Sequence, residues 1–359
     1  MLHAMIMAGG GGTRFWPRSR DHLPKQFLTF SGNRTLLQET VDRISAQVPP
    51  ERTWVITGAK HVDLTREQLP NVPPDQIVGE PFRRDTAACI GLGAALIAQN
   101  DPAATMIVMP ADHHIEPERE FQRAIHAAEQ FAIDYPGALL TFGIPPTEPA
   151  TGYGYIQRGT VLGERQSVSI AQAKAFKEKP DLEVARQFVE AGDFYWNSGI
   201  FVWKTAAILS ELRRLKPAMY AAIERITEAW NGATRDEVFR REYDSIEKKS
   251  IDYAVMQDAE QVLVMHAPFH WDDVGSWLAL ERRNPQDAQG NTLQGSHVGI
   301  DTQNCVVVSD GDGVVTTIGV NNLIIIKSGS SVLVADRKDE GRVKEIVEQL
   351  QKLGWNHHL

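Results

Sequence analysis

Cysteine is nearly absent: Cys89 and Cys305 are the only two in 359 residues, and they lie far apart in sequence. Neither a disulfide framework nor a cysteine zinc site is suggested by such a pair, so both are expected to be small buried hydrophobes. Positive charge is also in deficit. A formal net charge of −9 sets the overall field against nucleic acid and anionic membranes, so no nucleic-acid or membrane partner is expected. Any phosphate must then be met by a local basic pocket. No stretch approaches ~20 apolar residues, the length a spanning helix requires. Residues 1–8 run straight into glycine, without a charged region followed by an apolar one, so a cytoplasmic address is the default expectation. The 42% hydrophobic content still suffices for one large α/β domain and a smaller unit.

What the chain does have is a cluster of glycines in a telling place. Residues 5–8 form a short apolar run suited to a buried strand, and Gly9, Gly10, Gly11 and Gly12 follow it. Glycines after a strand can mark a simple tight turn. They also let main-chain N–H groups approach phosphate oxygens with no Cβ in the way. Thr13, Arg14 and Lys25 add a hydroxyl and two cations, the chemistry a polyphosphate requires, and favour the phosphate reading. Two familiar phosphate loops do not fit. A dinucleotide fingerprint needs a third glycine or alanine where this chain has Arg14 or Phe15, and a Walker loop ends Gly-Lys-Ser/Thr where this chain reads Gly-Thr-Arg.

Strands and helices then alternate. Thr35 is placed to cap a helix over 36–46; strands are expected at 53–57, 76–78, 105–109 and 138–143, with helices at 62–69, from Asp85 or Thr86 to 99, and at 118–132. This pattern predicts an α/β fold: a Rossmann-like, mainly parallel sheet flanked by helices, with ligands gathering at the carboxyl ends of its strands. Pro110-Ala111-Asp112-His113-His114 leaves a strand at such an end. By residue type alone Asp112 is a turn residue or one of the few carboxylates that, with substrate phosphates, hold Mg²⁺. His113 and His114 are adjacent and tend to point apart, which favours loop or supporting roles over metal ligation. Helices are expected through 205–257, including 251–256. After Pro285 short β runs recur at 305–308, 314–318, 323–326 and 332–334, followed by an amphipathic helix over 341–353 with Val343, Ile346, Val347 and Leu350 on one face. The expected division is a domain over 1–284 and a β-rich C-terminal module with a closing helix over 285–359.

Gly-Gly-x-Gly-Thr-Arg followed by Pro24-Lys25-Gln26-Phe27 resembles the signature of the sugar-1-phosphate nucleotidylyltransferases. Phe15-Trp16-Pro17 with Ser19-Arg20 is most similar to the mannose-1-phosphate guanylyltransferases among them. Four later stretches also resemble that family: Pro-Ala-Asp-His at Asp112, Phe-x-Glu-Lys-Pro at Glu178 and Lys179, Trp-Asn-Ser-Gly at Asn197, and Asp-Val-Gly-Ser-Trp at Asp273.

The resemblance implies that Ala8, Gly9, Gly10, Gly12 and Thr13 hold nucleotide phosphates while Arg14 and Lys25 neutralise charge during transfer. It makes Asp112 and Asp273 joint ligands of one Mg²⁺ and places Asp85 and Thr86 in the nucleotide pocket. Gly152 and Gly154 would let a sugar lie against the backbone, Glu178 and Asn197 would meet its hydroxyls, and Lys179 its phosphate. The chain departs from the family pattern at Asp85 and Ala88, where asparagine and proline are usual. A carboxylate at 85 can still accept the N–H donors of guanine. The implied reaction is transfer of GMP from GTP to α-D-mannose 1-phosphate, giving GDP-mannose and pyrophosphate. Alternatives are a relative using UTP or dTTP with glucose 1-phosphate, or a nucleotide-sugar sensor without turnover. The tail would resemble a short β-helix-like module used for packing and self-association, hence a homodimer, and a single activity is expected because no isomerase domain follows. The sharpest expectation is that Asp112 and Asp273 meet in one cleft.

Overall fold

A computed structural model describes all 359 residues. In chain order its first ten strands are β1 (Leu2–Ala8), β2 (Thr53–Gly58), β3 (Ile77–Glu80), β4 (Thr105–Pro110), the short β5 (His114–Glu116), β6 (Leu139–Ile144), β7 (Tyr155–Arg165), β8 (Val168–Lys177), β9 (Phe194–Lys204) and β10 (Val262–His266). The helices are α1 (Leu36–Ile44), α2 (Val62–Gln68), α3 (Asp85–Asn100), α4 (Glu118–Asp134), α5 (Leu182–Ala191), α6 (Thr205–Leu215), α7 (Pro217–Glu228), α8 (Arg235–Ser245), α9 (Ala279–Arg283) and α10 (Val343–Lys352). None is long and apolar enough to cross a membrane.

Two compact units result, both discontinuous in sequence. The first comprises Met1–Gly9, Val41–Ala111 and Ile115–Trp271; the second comprises Gly10–Thr40, Asp112–His114 and Asp272–Leu359.

The first unit is built on a nine-stranded sheet in the order β3-β2-β1-β4-β9-β6-β10-β8-β7. β9 opposes β4 and β6, and β8 opposes β10 and β7, so the other seven strands share one direction. β1 and β4 read as almost unbroken apolar runs because helices cover both faces of a parallel sheet, and all but one residue of each is buried. α3 explains the depth of this core. Its stretch from Ala87 to Ile97 is nearly all small or aliphatic, so it buries itself against β1 and against α6 and α7 rather than showing one polar face. Trp203 and Phe201 stack at 5.1 Å within the same cluster, and Trp203 is fully buried, a side chain worth about 2–3 kcal/mol of transfer free energy.

Helix starts follow local chemistry. At α1, Thr35 Oγ1 accepts the Gln38 N–H at 3.3 Å and Gln38 Oε1 accepts the Thr35 N–H at 3.1 Å, a reciprocal capping box. At α5, the Asp181 side chain accepts the Val184 N–H at 2.9 Å. The helical segment expected over 251–256 departs from regular α geometry. Asp252–Met256 is a π-helix, a rare widened turn.

The second unit carries β12 (Thr292–Gln294), β13 (Ser296–Ile300), β14 (Val306–Ser309), β15 (Val314–Ile318), β16 (Leu323–Ser328) and β17 (Ser331–Asp336), which follow the three-residue β11 (His270–Asp272). β12, β14 and β16 stack in parallel, Thr292 opposite Val306 and Val306 opposite Ile324, and β13 pairs in parallel with β15. Parallel rungs on two sheets give a β-helix-like coil, closed by the antiparallel β17. β14 is buried on both faces: Val306 and Val308 enter one core, and Val307, with Cys305 just before the strand, another. Both cysteines are free and buried. In α10 the expected apolar face is narrower than the sequence predicted. Val343 and Val347 are buried, but Ile346 is 44% exposed, since it lies to the side of the stripe those two valines define.

Candidate active site

The glycine loop ends in a 3-10 turn, Thr13–Phe15, entered through Gly12 at φ +59°. Phe15 is buried edge-on against Phe30 and Trp277, which turns its neighbours Thr13 and Arg14 outward to solvent. Gly12 is required by close approach as well as by φ. A Cβ there would lie 2.6 Å from the Lys25 Cβ and 2.7 Å from the Lys25 main-chain nitrogen.

Lys25 is buried, which a lysine tolerates only when paired. Its Nζ donates to Asp112 Oδ2 and to the Asp273 carbonyl, each at 2.7 Å. An ammonium has three donors, so one remains for a ligand oxygen. Burial pushes the Asp112 carboxyl up, but Lys25 and His113 beside it pull harder the other way and hold it below the ordinary carboxylate range. Asp112 is therefore an anion at neutral pH.

Asp272 and Asp273 are adjacent acids that the fold separates. Asp272 accepts the Val274 N–H at 2.7 Å and pairs with Arg282, so it is spent on the turn. Asp273 lies against Gly275, where an added Cβ would come within 2.9 Å of its Oδ2. The outcome is an open cleft of about 360 Å³ whose lining includes Gly12, Thr13, Arg14, Lys25, Asp112, His113, Asp273 and Gly275. Residues 87 and 248 positions away from Lys25 thus meet it at one point.

Ala8 ends β1, Gly9 ends the opening segment of the first unit, and Gly10, at φ +97°, begins the opening segment of the second. The remaining residues singled out from sequence belong to the first unit and fall into two places. Asp85 and Thr86 start α3. The Asp85 side chain is exposed and accepts the Thr86 N–H at 2.8 Å, a local contact, while Thr86 Oγ1 accepts the N–H of the sequence-distant Ile251 at 2.8 Å. Just before them, burial pushes the Glu80 carboxyl up to about 7, against the hydrogen bond donated by Tyr243.

The second place is polar and compact. The Glu178 side chain is buried and pairs with Lys179 at 2.9 Å, and its Oε2 fills the space a Gly154 Cβ would need. Asn197 is fixed on three sides, with Thr141 Oγ1 3.1 Å and the Gly199 N–H 3.3 Å from its Oδ1, and its Nδ2 donating to Asp252 Oδ1 at 2.9 Å. Gly152 has open space around it and takes no part in this packing.

Asp252 is the residue that sequence reasoning passed over. The segment 250–255 reads Ser-Ile-Asp-Tyr-Ala-Val, and nothing local in it shows that a π-helix turns its third residue toward Asn197. Burial, with the Glu178 charge close by, raises the Asp252 carboxyl to about 6. Two carboxylates, an amide and an ammonium around a glycine edge make a site suited to binding hydroxyl groups.

A mainly parallel sheet whose first strand runs into a glycine turn, with a cleft of two cations and two carboxylates, defines an α/β protein equipped to handle phosphate esters. Comparison with known proteins narrows the class. A family model for nucleotidyl transferases matches residues 3–290, and one for the mannoseP isomerase/GMP-like β-helix domain matches residues 295–350. Mannose-1-phosphate guanylyltransferases from Klebsiella pneumoniae and Escherichia coli are each 39% identical over 355 residues, covering 98% of this chain and 74% of the relative. A crystal structure of a mannose-1-phosphate geranyltransferase from Thermus thermophilus matches with TM-score 0.86 at 36% identity, covering 98% of this chain and 99% of that one. The chain belongs to the nucleotidyl transferase family, among its mannose-1-phosphate guanylyltransferases.

Proposed function

We propose that the protein transfers GMP from GTP to α-D-mannose 1-phosphate, releasing pyrophosphate and forming GDP-mannose. The observation that carries the reading is the meeting of Arg14, Lys25, Asp112 and Asp273 in one cleft beside Gly12. A phosphate oxygen of the sugar attacks the α-phosphorus in line, so no protein nucleophile is needed, and catalysis consists of positioning and charge neutralisation. Main-chain N–H groups of the glycine loop hold the triphosphate. Arg14 and Lys25 offset its charge and that of the leaving pyrophosphate.

The donor set fits Mg²⁺, which takes oxygen ligands, commonly one or two carboxylates completed by substrate phosphates. Asp112, kept ionised, and Asp273 would hold it; when bound, the ion supplies charge stabilisation to the phosphates. Glu178, Asn197 and Asp252 would meet the sugar hydroxyls, and Lys179 its phosphate. Asp85 and Thr86 remain assigned to the nucleotide side. We further place the protein in the cytoplasm as a homodimer, for which sedimentation at micromolar concentration is the check.

A panel of nucleoside triphosphates against sugar 1-phosphates, read by pyrophosphate release, tests the reading. GTP with mannose 1-phosphate is expected to lead in kcat/KM. Preference for UTP or dTTP with glucose 1-phosphate, or GTP binding without any pyrophosphate, overturns it.

A further inference from the structure

The six residues after the cradle, Phe15-Trp16-Pro17-Arg18-Ser19-Arg20, have no part in the proposed chemistry, yet each polar side chain among them is engaged. Phe15 and Trp16 are buried in the core that holds Val308, Leu333 and Val347 of the β-helical tail. The Trp16 indole Nε1–H donates to the His358 carbonyl at 2.7 Å, and Arg20 donates to the same oxygen. Arg18 Nε lies 3.2 Å from Asp310 Oδ2, and its guanidinium also donates to Gln294 Oε1 at 2.9 Å. Asp310 is itself fixed by the Ser328 hydroxyl at 3.0 Å. Ser19 closes the chain of contacts. Its hydroxyl donates to the Gly12 carbonyl at 2.6 Å, so a segment anchored in the tail is bonded directly to the glycine cradle.

We propose that the β-helical tail braces the phosphate loop, with Asp310 and the His358 carbonyl acting through Arg18, Trp16 and Ser19 to fix the conformation in which the cradle from Gly12 to Arg14 receives GTP. This rests on the GTP reading above. Consecutive glycines have more backbone freedom to lose than any other sequence. A loop of that kind binds weakly unless something outside it orders it beforehand. Side-chain packing cannot do so, because glycines offer none. Part of the ordering is local, from the Phe15 N–H donating to the Gly12 carbonyl at 2.9 Å and from the close approach of Gly12 to Lys25; the rest comes from the next residues along the chain, and these are the ones tied to the tail. The pairing of Arg18 with Asp310 also sets register, since removing either partner leaves the other without its counter-charge in a confined site. Asp310 and Trp16 are thus positioning residues for the nucleotide.

The test is a pair of conservative variants, Asp310→Asn and Trp16→Phe, with Asp310→Glu as rescue. Pyrophosphate release is measured with each substrate varied in turn, and binding of a fluorescent GTP analogue is measured directly, alongside thermal melting. KM and Kd for the nucleotide are expected to rise about ten-fold in each variant, with KM for mannose 1-phosphate within about two-fold of wild type and Asp310→Glu recovering most of the loss. Unchanged nucleotide affinity in both folded variants overturns the proposal. So does a parallel loss for both substrates that tracks a fall in melting temperature, which marks a merely structural role. Failure of the wild type to release pyrophosphate would instead refute the reaction, leaving the binding arm to judge the brace.

Discussion

Gly12 offers the most quantitative test of the cleft, because two independent features of one position forbid a side chain. At φ +59°, alanine incurs about 1–2 kcal/mol of left-handed strain. Its Cβ would also sit 2.6 Å from the Lys25 Cβ and 2.7 Å from the Lys25 nitrogen, where non-bonded carbon contacts begin near ~3.5 Å. The loop and Lys25 must then separate by roughly 1 Å. Because a backbone nitrogen is among the atoms met, rotation of a flexible side chain cannot relieve the contact. Lys25 holds Asp112 and the Asp273 carbonyl at 2.7 Å, so its displacement disturbs every group in the cleft. A misplacement near 1 Å costs about 10²-fold in rate. Gly12→Ala is therefore expected to fold, to melt a few degrees lower by differential scanning fluorimetry, and to release pyrophosphate about 10²-fold more slowly. Gly9→Ala is the stability control: its added Cβ meets nothing within 4 Å and its φ is not positive, so melting should not move. Wild-type melting and wild-type turnover in Gly12→Ala would refute the geometry on which the cleft is argued.

Other perturbations separate the parts of the site. Asp112→Asn and Lys25→Ala should each leave far-UV circular dichroism unchanged and lower kcat by roughly 10²–10³-fold; near-wild-type turnover removes the residue from the mechanism. Asp252→Asn should raise KM for mannose 1-phosphate roughly ten-fold or more while KM for GTP stays put, and the penalty should vanish with the deoxy sugar lacking the hydroxyl it meets; an equal effect on all analogues places Asp252 outside the sugar site. Glu80 titrates near 7, above its unfolded value, so its contribution is fully present below about pH 4.5 and is lost as pH rises through 7. Glu80→Gln should therefore gain on wild type between pH 5 and 8, by up to about 2–3 kcal/mol in chemical denaturation, and a gap that does not change with pH contradicts the assignment.

The parallel sheet was legible because burial on both faces leaves β1 and β4 no room for alternation, and an unbroken apolar run is then the signature itself. The Thr35 capping box is equally local. The make-up of the two compact units was not legible in this way. Composition changes near Pro285, yet the second unit also gathers residues 10–40, through contacts such as Phe15 with Trp277 that leave no mark in nearby sequence. The two aspartates were found through motif resemblance, but only coordinates show that Lys25 touches both. Asp272, which does not line the cleft, is held by the Val274 N–H and by Arg282, contacts that nearby sequence does not announce. Asp252 escaped for a related reason, since a π-helix differs from an α-helix by one backbone step and the residues of its turn give no warning.

Electron paramagnetic resonance of Mn²⁺, standing in for Mg²⁺, together with a non-hydrolysable GTP analogue, addresses the shared role of the two distant carboxylates without depending on turnover. One bound ion per chain is expected in the ternary complex of the wild type, lost in Asp112→Asn and in Asp273→Asn although both still bind the analogue. Equal Mn²⁺ occupancy in all three proteins would contradict it.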